Sequence, residues 1–304
     1  MATPLIAVVG PTASGKSALA LRLAQEHGGE IVSCDSLQVY RGLDIGSAKA
    51  TPEERAAVAH HLIDVAEPDA VFSAADYARL ARAALHEIRS RGRLPIVAGG
   101  SGLYLRALLG GLFEGPSRDD ALRARLERLA RRFGDPRLHR LLARVDAVAA
   151  ARTNPRDRVR IVRALEVYWL TGRPLTAHQQ RGSRPLEGYR TLLLGLRPER
   201  AELRKAVEAR TRQMLERGLV AEVRGLLDRF GGRLPRPLGA IGYRQAVSVV
   251  RGELTVEAAE RAIVTETMRF AKRQMTWFRH QARVEWFLTP QAAHEGAAAW
   301  LARG

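Results

Sequence analysis

The first residues that could do chemistry form an eight-residue loop near the start of the chain, GPTASGKS at 10–17. The loop matches the complete pattern G-x-x-x-x-G-K-[ST] of loops that bind the phosphates of nucleotides. Backbone N–H groups in such a loop, together with the N-terminus of the following helix, form a concave anion site. Lys16 would add a positive charge, and the Ser17 hydroxyl would be a ligand for Mg²⁺, which prefers oxygen donors. The pattern therefore predicts a site for a diphosphate or a triphosphate.

A single carboxylate, Asp35, follows the next apolar run and could serve the same site. An acid at the C-terminal end of a strand can hold Mg²⁺ or act as a general base. Its side chain could instead cap the turn that follows the strand. The residue taken alone leaves these roles open.

The elements that must position these residues alternate in type along the first third of the chain. Strands are expected at 5–9, 31–33 and 94–98, and helices at 15–27, at 73–89 and from Ser101 onward. Such alternation predicts βαβ units and a parallel sheet. Ligands bind such sheets beyond the C-terminal ends of the strands, which is where the loop and Asp35 are expected.

The remainder of the chain is mostly helical. The helical pattern starts at 117, a strand is expected again at 191–195, and a second helical stretch at 199–281 leads to a last strand at 284–288. We therefore predict an α/β fold with a P-loop core, in which helices flank a parallel sheet. Residues 1–116 and 191–304 would form this core, and residues 117–190 would form a helical, basic insertion domain.

The net charge of +17 is distributed unevenly. Residues 1–117 carry 11 basic and 12 acidic residues, residues 118–190 carry 18 and 8, and residues 191–304 carry 20 and 12. This distribution favours a polyanionic partner, most simply a nucleic acid. The alternative is an Arg-rich composition with solvated helix faces, although a general bias would not spare the first third of the chain.

Composition excludes several other classes of protein. The one cysteine, Cys34, cannot form an intramolecular disulfide or a Cys-based zinc site, and it fits a cytoplasmic location. No apolar stretch approaches the roughly 20 residues of a membrane helix. His60 and His61 have no further ligands at metal-site spacing, so we predict structural roles for both.

Longer motifs, in the same order along the chain, resemble the tRNA dimethylallyltransferase family of bacterial type. They are GPTASGKS, DSLQVYRGLDIGSAK at 35–49, HHLID at 60–64, GGSGLY at 99–104, RIVRALEV at 160–167, GYRQ at 242–245 and KRQMTWFR at 272–279. The resemblance implies transfer of a dimethylallyl group from dimethylallyl diphosphate to N6 of the adenosine just 3′ of the anticodon, at position 37 of tRNA. It also implies Mg²⁺ as cofactor, the anticodon stem-loop as partner and a monomeric enzyme.

The resemblance further implies roles for single residues. Asp35 would act as the general base for N6, and the Thr12 hydroxyl would contact the bridging oxygen of the diphosphate. Lys16 and Arg210 would bind the charge of the diphosphate. The whole loop would bind diphosphate, with Ser17 as metal ligand: Gly10, Pro11, Thr12, Ala13, Ser14, Gly15, Lys16 and Ser17. Residues implied in tRNA binding are Asp35, Ser36, Leu37, Gln38, Ser101, Arg123, Val159, Arg160, Ile161, Val162, Arg163, Ala240, Ile241, Gly242, Tyr243, Arg244, Gln245, Lys272, Arg273, Gln274, Trp277 and Arg279.

Two aromatic residues in the last motif have two interpretations. Trp277 and Phe278 stand near Lys272 and Arg273, and such mixtures of basic and aromatic residues can contact phosphates and stack on bases. Both rings could equally belong to the core side of a long helix.

Three other functions compete with this interpretation. A P-loop nucleotide or nucleoside kinase would bind ATP in the same loop, although the basic insertion is long for a kinase lid. An adenylate dimethylallyltransferase would act on free nucleotides, which need few positive charges, whereas residues 118–304 carry a net charge of +18. A non-catalytic RNA-binding module would need neither Asp35 nor an intact loop.

Overall fold

The computed structural model describes residues 2–113, 115–180 and 184–303. The chain forms two compact units, the first made of Met1–Leu108 with Leu186–Gly304 and the second of Leu109–Pro185. The insertion expected at 117–190 overlaps most of the second unit, whose bounds lie several residues earlier at both ends. The helical pattern misses this shift because the unit also takes in the connecting residues before its first helix.

The first unit is built on a six-stranded sheet in which every pair of neighbouring strands is parallel. Its strands are β1 (Thr3–Val9), β2 (Gly29–Ser33), β3 (His60–His61), β4 (Leu94–Ala98), β5 (Tyr189–Leu196) and β6 (Glu285–Phe287). Their order across the sheet is β3-β2-β4-β1-β5-β6. The predicted α/β fold with a parallel sheet is confirmed. The short edge strand β3 is an addition, because two polar histidines give no strand pattern.

Helices flank this sheet. They are α1 (Lys16–His27), α2 (Pro52–Ala57), α3 (Ala74–Ser90), α4 (Gly102–Gly110), α10 (Arg200–Glu216), α11 (Leu219–Arg229), α12 (Tyr243–Val250), α13 (Val256–Gln281) and α14 (Pro290–Ala302). A 3₁₀ turn at Arg236–Gly239 interrupts the stretch between α11 and α12. None of the helices that the structure describes is long and apolar enough to cross a membrane.

The core of the first unit explains why its strands lack the alternating pattern of exposed sheets. In β1, Ile6 and Val8 are fully buried and pack in one cluster with Leu23 of α1 and with Ala293 and Ala297 of α14. The other face of β1 is equally buried, since Leu5 and Ala7 have no exposed surface. Strands covered on both faces are continuous apolar runs. α1 and α14 thus contribute to the same apolar core as β1.

The strand order brings three loops together at one edge of the sheet. β4 pairs with both β1 and β2, with Ala98 in register with Val8 on one side and with Ser33 on the other. The 10–17 loop, Asp35 and Gly99 follow these three strand ends. Gly99 packs against the backbone of Cys34, and a Cβ there would lie 2.1 Å from the Cys34 carbonyl oxygen. Only glycine permits this approach between the ends of β2 and β4.

The second unit is a cluster of helices around an apolar core. Its helices are α5 (Asp120–Phe133), α6 (Asp135–Val145), α7 (Ala147–Arg152), α8 (Arg158–Thr171) and α9 (Leu175–Gln180). Leu126, Leu138, Leu142, Ile161 and Leu165 are buried in that core, which accounts for the helical spacing of leucines.

A buried carboxylate, Glu166, organises the first and fourth helices of this unit. Its side chain has no exposed surface and accepts two hydrogen bonds of 2.8 Å from Arg123, one of 2.7 Å from Arg163 and one of 2.9 Å from the Asp119 N–H. Burial raises the pKa of the carboxyl, but the hydrogen bonds from Arg123 and Arg163 outweigh burial and lower the pKa to about 2. Both arginines are therefore committed to an internal ion-pair network.

Glu166→Gln is predicted to destabilise the protein by about 2–3 kcal/mol at neutral pH. The pKa of Glu166 is lower in the folded protein than its ordinary 4.5, so its contribution is fully present above about 4.5 and is lost as the pH falls towards about 2. Urea unfolding at pH 7 and at several values below 4.5 measures the difference between parent and variant. That difference should shrink as the pH falls. The same change at the exposed Glu127 of α5 is the control and should cost less than about 0.5 kcal/mol.

Candidate active site

The loop at 10–17 connects β1 to α1 and depends on two glycines. Gly10 has a φ of 139° and Gly15 a φ of 87°, in the region that favours glycine. A Cβ on Gly10 would also lie 2.6 Å from the Leu196 carbonyl oxygen of β5. Gly15 is the N-cap of α1 and provides no side chain to bind the first amides of the helix. Those amides therefore suit an external anion.

The Ser14 hydroxyl adds to this arrangement. It is buried, and its oxygen has no hydrogen-bond partner among the described residues. An unsatisfied buried hydroxyl costs about 1–3 kcal/mol. A phosphate oxygen in the loop would remove this cost, so Ser14 fits the predicted diphosphate site.

Two cations meet at the loop. Arg210 reaches it from α10 and donates from Nη1 to the Thr12 hydroxyl oxygen at 3.2 Å, while the Lys16 ammonium donates to the Pro11 carbonyl oxygen. Desolvation of the ammonium and, to a smaller extent, the charge of Arg210 together lower the pKa of Lys16 to about 7. Desolvation also lowers the pKa of Arg210. Two half-buried cations held close together form a site that favours a polyanion.

Asp35 is near enough to both cations to act on them electrostatically. Its charge raises the pKa of Lys16 and of Arg210, against the larger effect of desolvation. Asp35 also accepts a hydrogen bond of 2.8 Å from the Leu37 N–H on Oδ1, which closes the turn after β2. The turn-capping role considered from the sequence is therefore real, and it leaves the residue close to the phosphate loop.

The turn that contains Asp35 is bonded to the segment after β4. The Ser36 N–H donates to the Ser101 hydroxyl oxygen at 3.0 Å, and the Ser101 N–H donates to the Cys34 carbonyl oxygen at 3.1 Å. Gln38 is also held internally, because its amide donates to the carbonyl oxygens of Ser47 and Ala48 at 3.2 and 3.1 Å. Ser101 and Gln38 thus fix loops, although the resemblance implied contacts with tRNA.

The residues implied in tRNA binding fall into three classes of exposure. Exposed side chains are Ser36, Val159, Arg160, Arg244, Lys272, Arg273 and Arg279. Half-buried ones are Asp35, Leu37, Gln38, Ser101, Arg123, Arg163, Ala240, Ile241 and Trp277. Buried ones are Ile161, Val162, Gly242, Tyr243, Gln245 and Gln274. The buried residues pack inside their own unit, so a side-chain surface for RNA comes mainly from the exposed set.

The two neighbouring aromatic residues of the last motif, Trp277 and Phe278, differ in their exposure to solvent. Phe278 is 1% exposed and belongs to the core. Trp277 is half-buried and packs on Gly102 at the start of α4, where a Cβ would lie 2.3 Å from its ring. The stacking interpretation is therefore wrong for Phe278.

Sequence reasoning missed the residues that anchor the DIGSAK part of the second motif. Glu222 of α11 accepts from the N–H groups of Asp44 and Ile45 at 3.0 and 2.7 Å, and from the Tyr243 hydroxyl at 2.8 Å. Lys49 is almost fully buried and donates to the Tyr40 carbonyl oxygen at 2.6 Å and to Asp64 at 2.5 Å. Only four of the 49 basic residues in the chain are lysines, and this scarcity is the one feature of the sequence that singles out Lys49. Nothing in the sequence pointed to Glu222.

The comparisons with known proteins agree with the site. The family described as IPP transferase matches residues 38–281. The chain belongs to the IPP transferase family. A relative named tRNA dimethylallyltransferase from Anaeromyxobacter sp. (strain Fw109-5) is 52% identical over 286 residues, 94% of this chain and 95% of the relative. Another of the same name from Koribacter versatilis (strain Ellin345) is 50% identical over 287 residues, 94% and 93% of the two chains.

A solved structure extends the likeness of this IPP transferase to the fold. The crystal structure of the full-length tRNA isopentenylpyrophosphate transferase from Bacillus halodurans has 39% sequence identity and a TM-score of 0.71, and the match covers 99% of this chain and 97% of that one. Family membership confirms the resemblance seen in the motifs and the prediction of a prenyl-transferring enzyme. The kinase alternative has no support from these relatives.

Arg210→Met is predicted to weaken the binding of inorganic diphosphate with Mg²⁺ to this IPP transferase by about 10- to 100-fold, because a charge-assisted hydrogen bond contributes about 1.5–3 kcal/mol. Isothermal titration calorimetry measures the affinity. Arg212→Met is the matched control, since Arg212 lies on the same helix with an exposed side chain. Equal losses in the two variants would contradict a specific role for Arg210.

Proposed function

We propose that this IPP transferase moves a dimethylallyl group from dimethylallyl diphosphate to N6 of adenosine 37 in tRNA. The observation that carries the proposal is the meeting of two desolvated cations, Lys16 and Arg210, with one carboxylate, Asp35, at the phosphate loop. The cations suit a diphosphate leaving group, and the carboxylate suits an acceptor that must lose a proton. The relatives' names support the same reaction.

The reaction breaks one bond and forms another. The bond between C1 of the dimethylallyl group and the diphosphate oxygen breaks, and its electron pair leaves with the diphosphate. The lone pair of N6 forms the new bond to C1, and a proton passes from N6 to Asp35. Lys16, Arg210 and the loop amides stabilise the negative charge that develops on the leaving oxygen. The Thr12 hydroxyl, which accepts a hydrogen bond of 3.2 Å from Arg210, would contact that oxygen.

Mg²⁺ belongs to the same proposal. The Ser17 hydroxyl stands exposed in the first turn of α1, directly after Lys16, and is a suitable oxygen ligand. Among the residues that the structure describes, no group of three or more His, Cys, Asp or Glu side chains could hold a metal ion. The ion would therefore need phosphate oxygens as ligands, and it would neutralise charge on the diphosphate. The loop residues themselves orient the diphosphate.

tRNA binding follows from the distribution of charge. The second unit contains most of the basic excess of residues 118–190, and α13 presents Lys272, Arg273 and Arg279 to solvent. Position 37 lies in a stacked anticodon loop, so the base must leave the stack before N6 can reach C1. A monomeric, cytoplasmic enzyme that acts on the anticodon stem-loop completes the proposal.

Prenyl transfer is tested by incubating the protein with Mg²⁺, labelled dimethylallyl diphosphate and unmodified tRNA. Nucleoside analysis should then show labelled N6-dimethylallyladenosine at position 37. Parallel reactions contain labelled ATP with nucleoside acceptors, and labelled dimethylallyl diphosphate with AMP. Label on AMP alone would move the proposal to free nucleotides, and phosphate transfer from ATP without prenylation would make the protein a kinase.

Asp35→Asn should lower kcat by about 10²-fold or more, because the amide keeps the size of the side chain but cannot accept the N6 proton. Affinity for tRNA should change little. Binding of diphosphate should tighten, since the change removes a negative charge near Lys16 and Arg210. Single-turnover rates and binding titrations measure these effects, with Asp69→Asn at an exposed position as control. Normal turnover in Asp35→Asn would remove the base from the mechanism.

The affinity for tRNA should fall steeply with salt, since contacts with phosphates release counterions. Arg160→Gln is the informative variant, because the Arg160 side chain is 72% exposed. It should reduce the slope of log Kd against log salt by about 0.7–0.9, the value for one phosphate contact. Arg22→Gln on α1 is the control. A flat response in the parent protein would mean that the basic surface does not bind RNA.

A further inference from the structure

Gln274 is a buried residue of α13 whose side chain connects two loops of the active site. Its Oε1 accepts a hydrogen bond of 3.0 Å from the Thr12 N–H, and its Nε2 donates one of 3.0 Å to the Gly100 carbonyl oxygen. A flip of the carboxamide would place donor against donor and acceptor against acceptor, so the side chain has one favoured orientation. Gln274 therefore joins the phosphate loop to the segment that follows β4.

The packing around this bridge is tight. A Cβ on Gly100 would lie 2.2 Å from the Gln274 Nε2. One helical turn further along α13, Trp277 packs against Gly102 with the same closeness. The helix thus lies directly against residues 100–102, so the Gln274 side chain has little room to move.

The bridge continues to the turn that holds Asp35. Ser101, the neighbour of Gly100, bonds to the Ser36 N–H and to the Cys34 carbonyl oxygen, on the two sides of Asp35. Hydrogen bonds and the backbone of residues 100–101 therefore connect Thr12, through Gln274, to the two residues that flank Asp35. The donor side and the acceptor side of the reaction are linked by one side chain.

We propose that Gln274 is a positioning residue that sets the separation between the phosphate loop and Asp35, and so aligns the prenyl donor with N6. This inference rests on the function proposed above. It replaces the tRNA contact implied for Gln274 by the resemblance, because the side chain is 8% exposed and directed inward. A misplacement of about 1 Å can lower a rate by about 10²-fold without a loss of binding.

The test separates alignment from binding. Gln274→Ala removes both hydrogen bonds together with most of the side chain, and Gln274→Met removes both hydrogen bonds while keeping the approximate size and the neutral charge. Both should lower kcat by about 10- to 100-fold and leave the Kd for tRNA and for Mg²⁺ with inorganic diphosphate within about threefold. Gln213→Ala, at an exposed position of α10, is the control and should leave kcat unchanged. Weaker tRNA binding at normal kcat would establish the tRNA contact and overturn the proposal.

A double-mutant cycle with Gly100 gives a second, independent measurement. Gly100→Ala alone should lower kcat, because its Cβ displaces the Gln274 amide. In the Gln274→Ala background the same Cβ has room, so the double variant should be no slower than Gln274→Ala alone. If the kcat losses of the two single variants instead add up in the double variant, the proposal is overturned. This comparison holds even if the variants have lowered thermal stability. An inactive parent protein would instead refute the proposed function, whereas loss of kcat relative to an active parent concerns Gln274 alone.

Discussion

The active site depends on holding two half-buried cations together at the phosphate loop. Lys16 comes from the start of α1 and Arg210 from α10. Among the described residues, the carboxylate that acts on the charge of both is Asp35, which follows β2. Like charges in such a place repel, and folding must oppose that repulsion through the sheet that fixes all three elements. A diphosphate reverses the situation because it brings the missing negative charge. When the prenyl group leaves, the charge on the diphosphate grows, so the same cations favour the transition state over the substrate.

The local pattern of residue types in the sequence is enough to predict the strands and the loop that carry this site. The runs at 5–9 and 94–98, the glycine loop and Asp35 follow from local residue types and from the rule that parallel strands end at a common edge. The partners of these residues could not be predicted in the same way. Gln274 bonds to a residue 262 positions away, and Glu222 to one 178 positions away. Such contacts leave no periodic trace in the sequence.

A sequence motif also groups residues whose side chains point in different directions once the segment forms a helix. Successive positions of a helix point about 100° apart, so a run of eight residues covers every face. In the last motif Lys272 and Arg273 face solvent while Gln274 and Phe278 face the interior. A count of basic residues likewise does not show which of them are free to bind RNA. The basic excess of the insertion includes Arg123 and Arg163, although Glu166 already binds both.

The central position of β1 in the sheet has a consequence for when the site can form during synthesis of the protein. β1 is synthesised before β4 and β5, yet it is hydrogen-bonded between the two, with Thr3 in register with Tyr189 of β5. Contacts between such distant parts of a chain form slowly and require the late segments to be present. The phosphate loop therefore lacks the support of β5, whose Leu196 packs against Gly10, until that strand has been synthesised. The site can form only after β5 and α10 have been synthesised, and a pause before β5 leaves one edge of β1 without its partner strand.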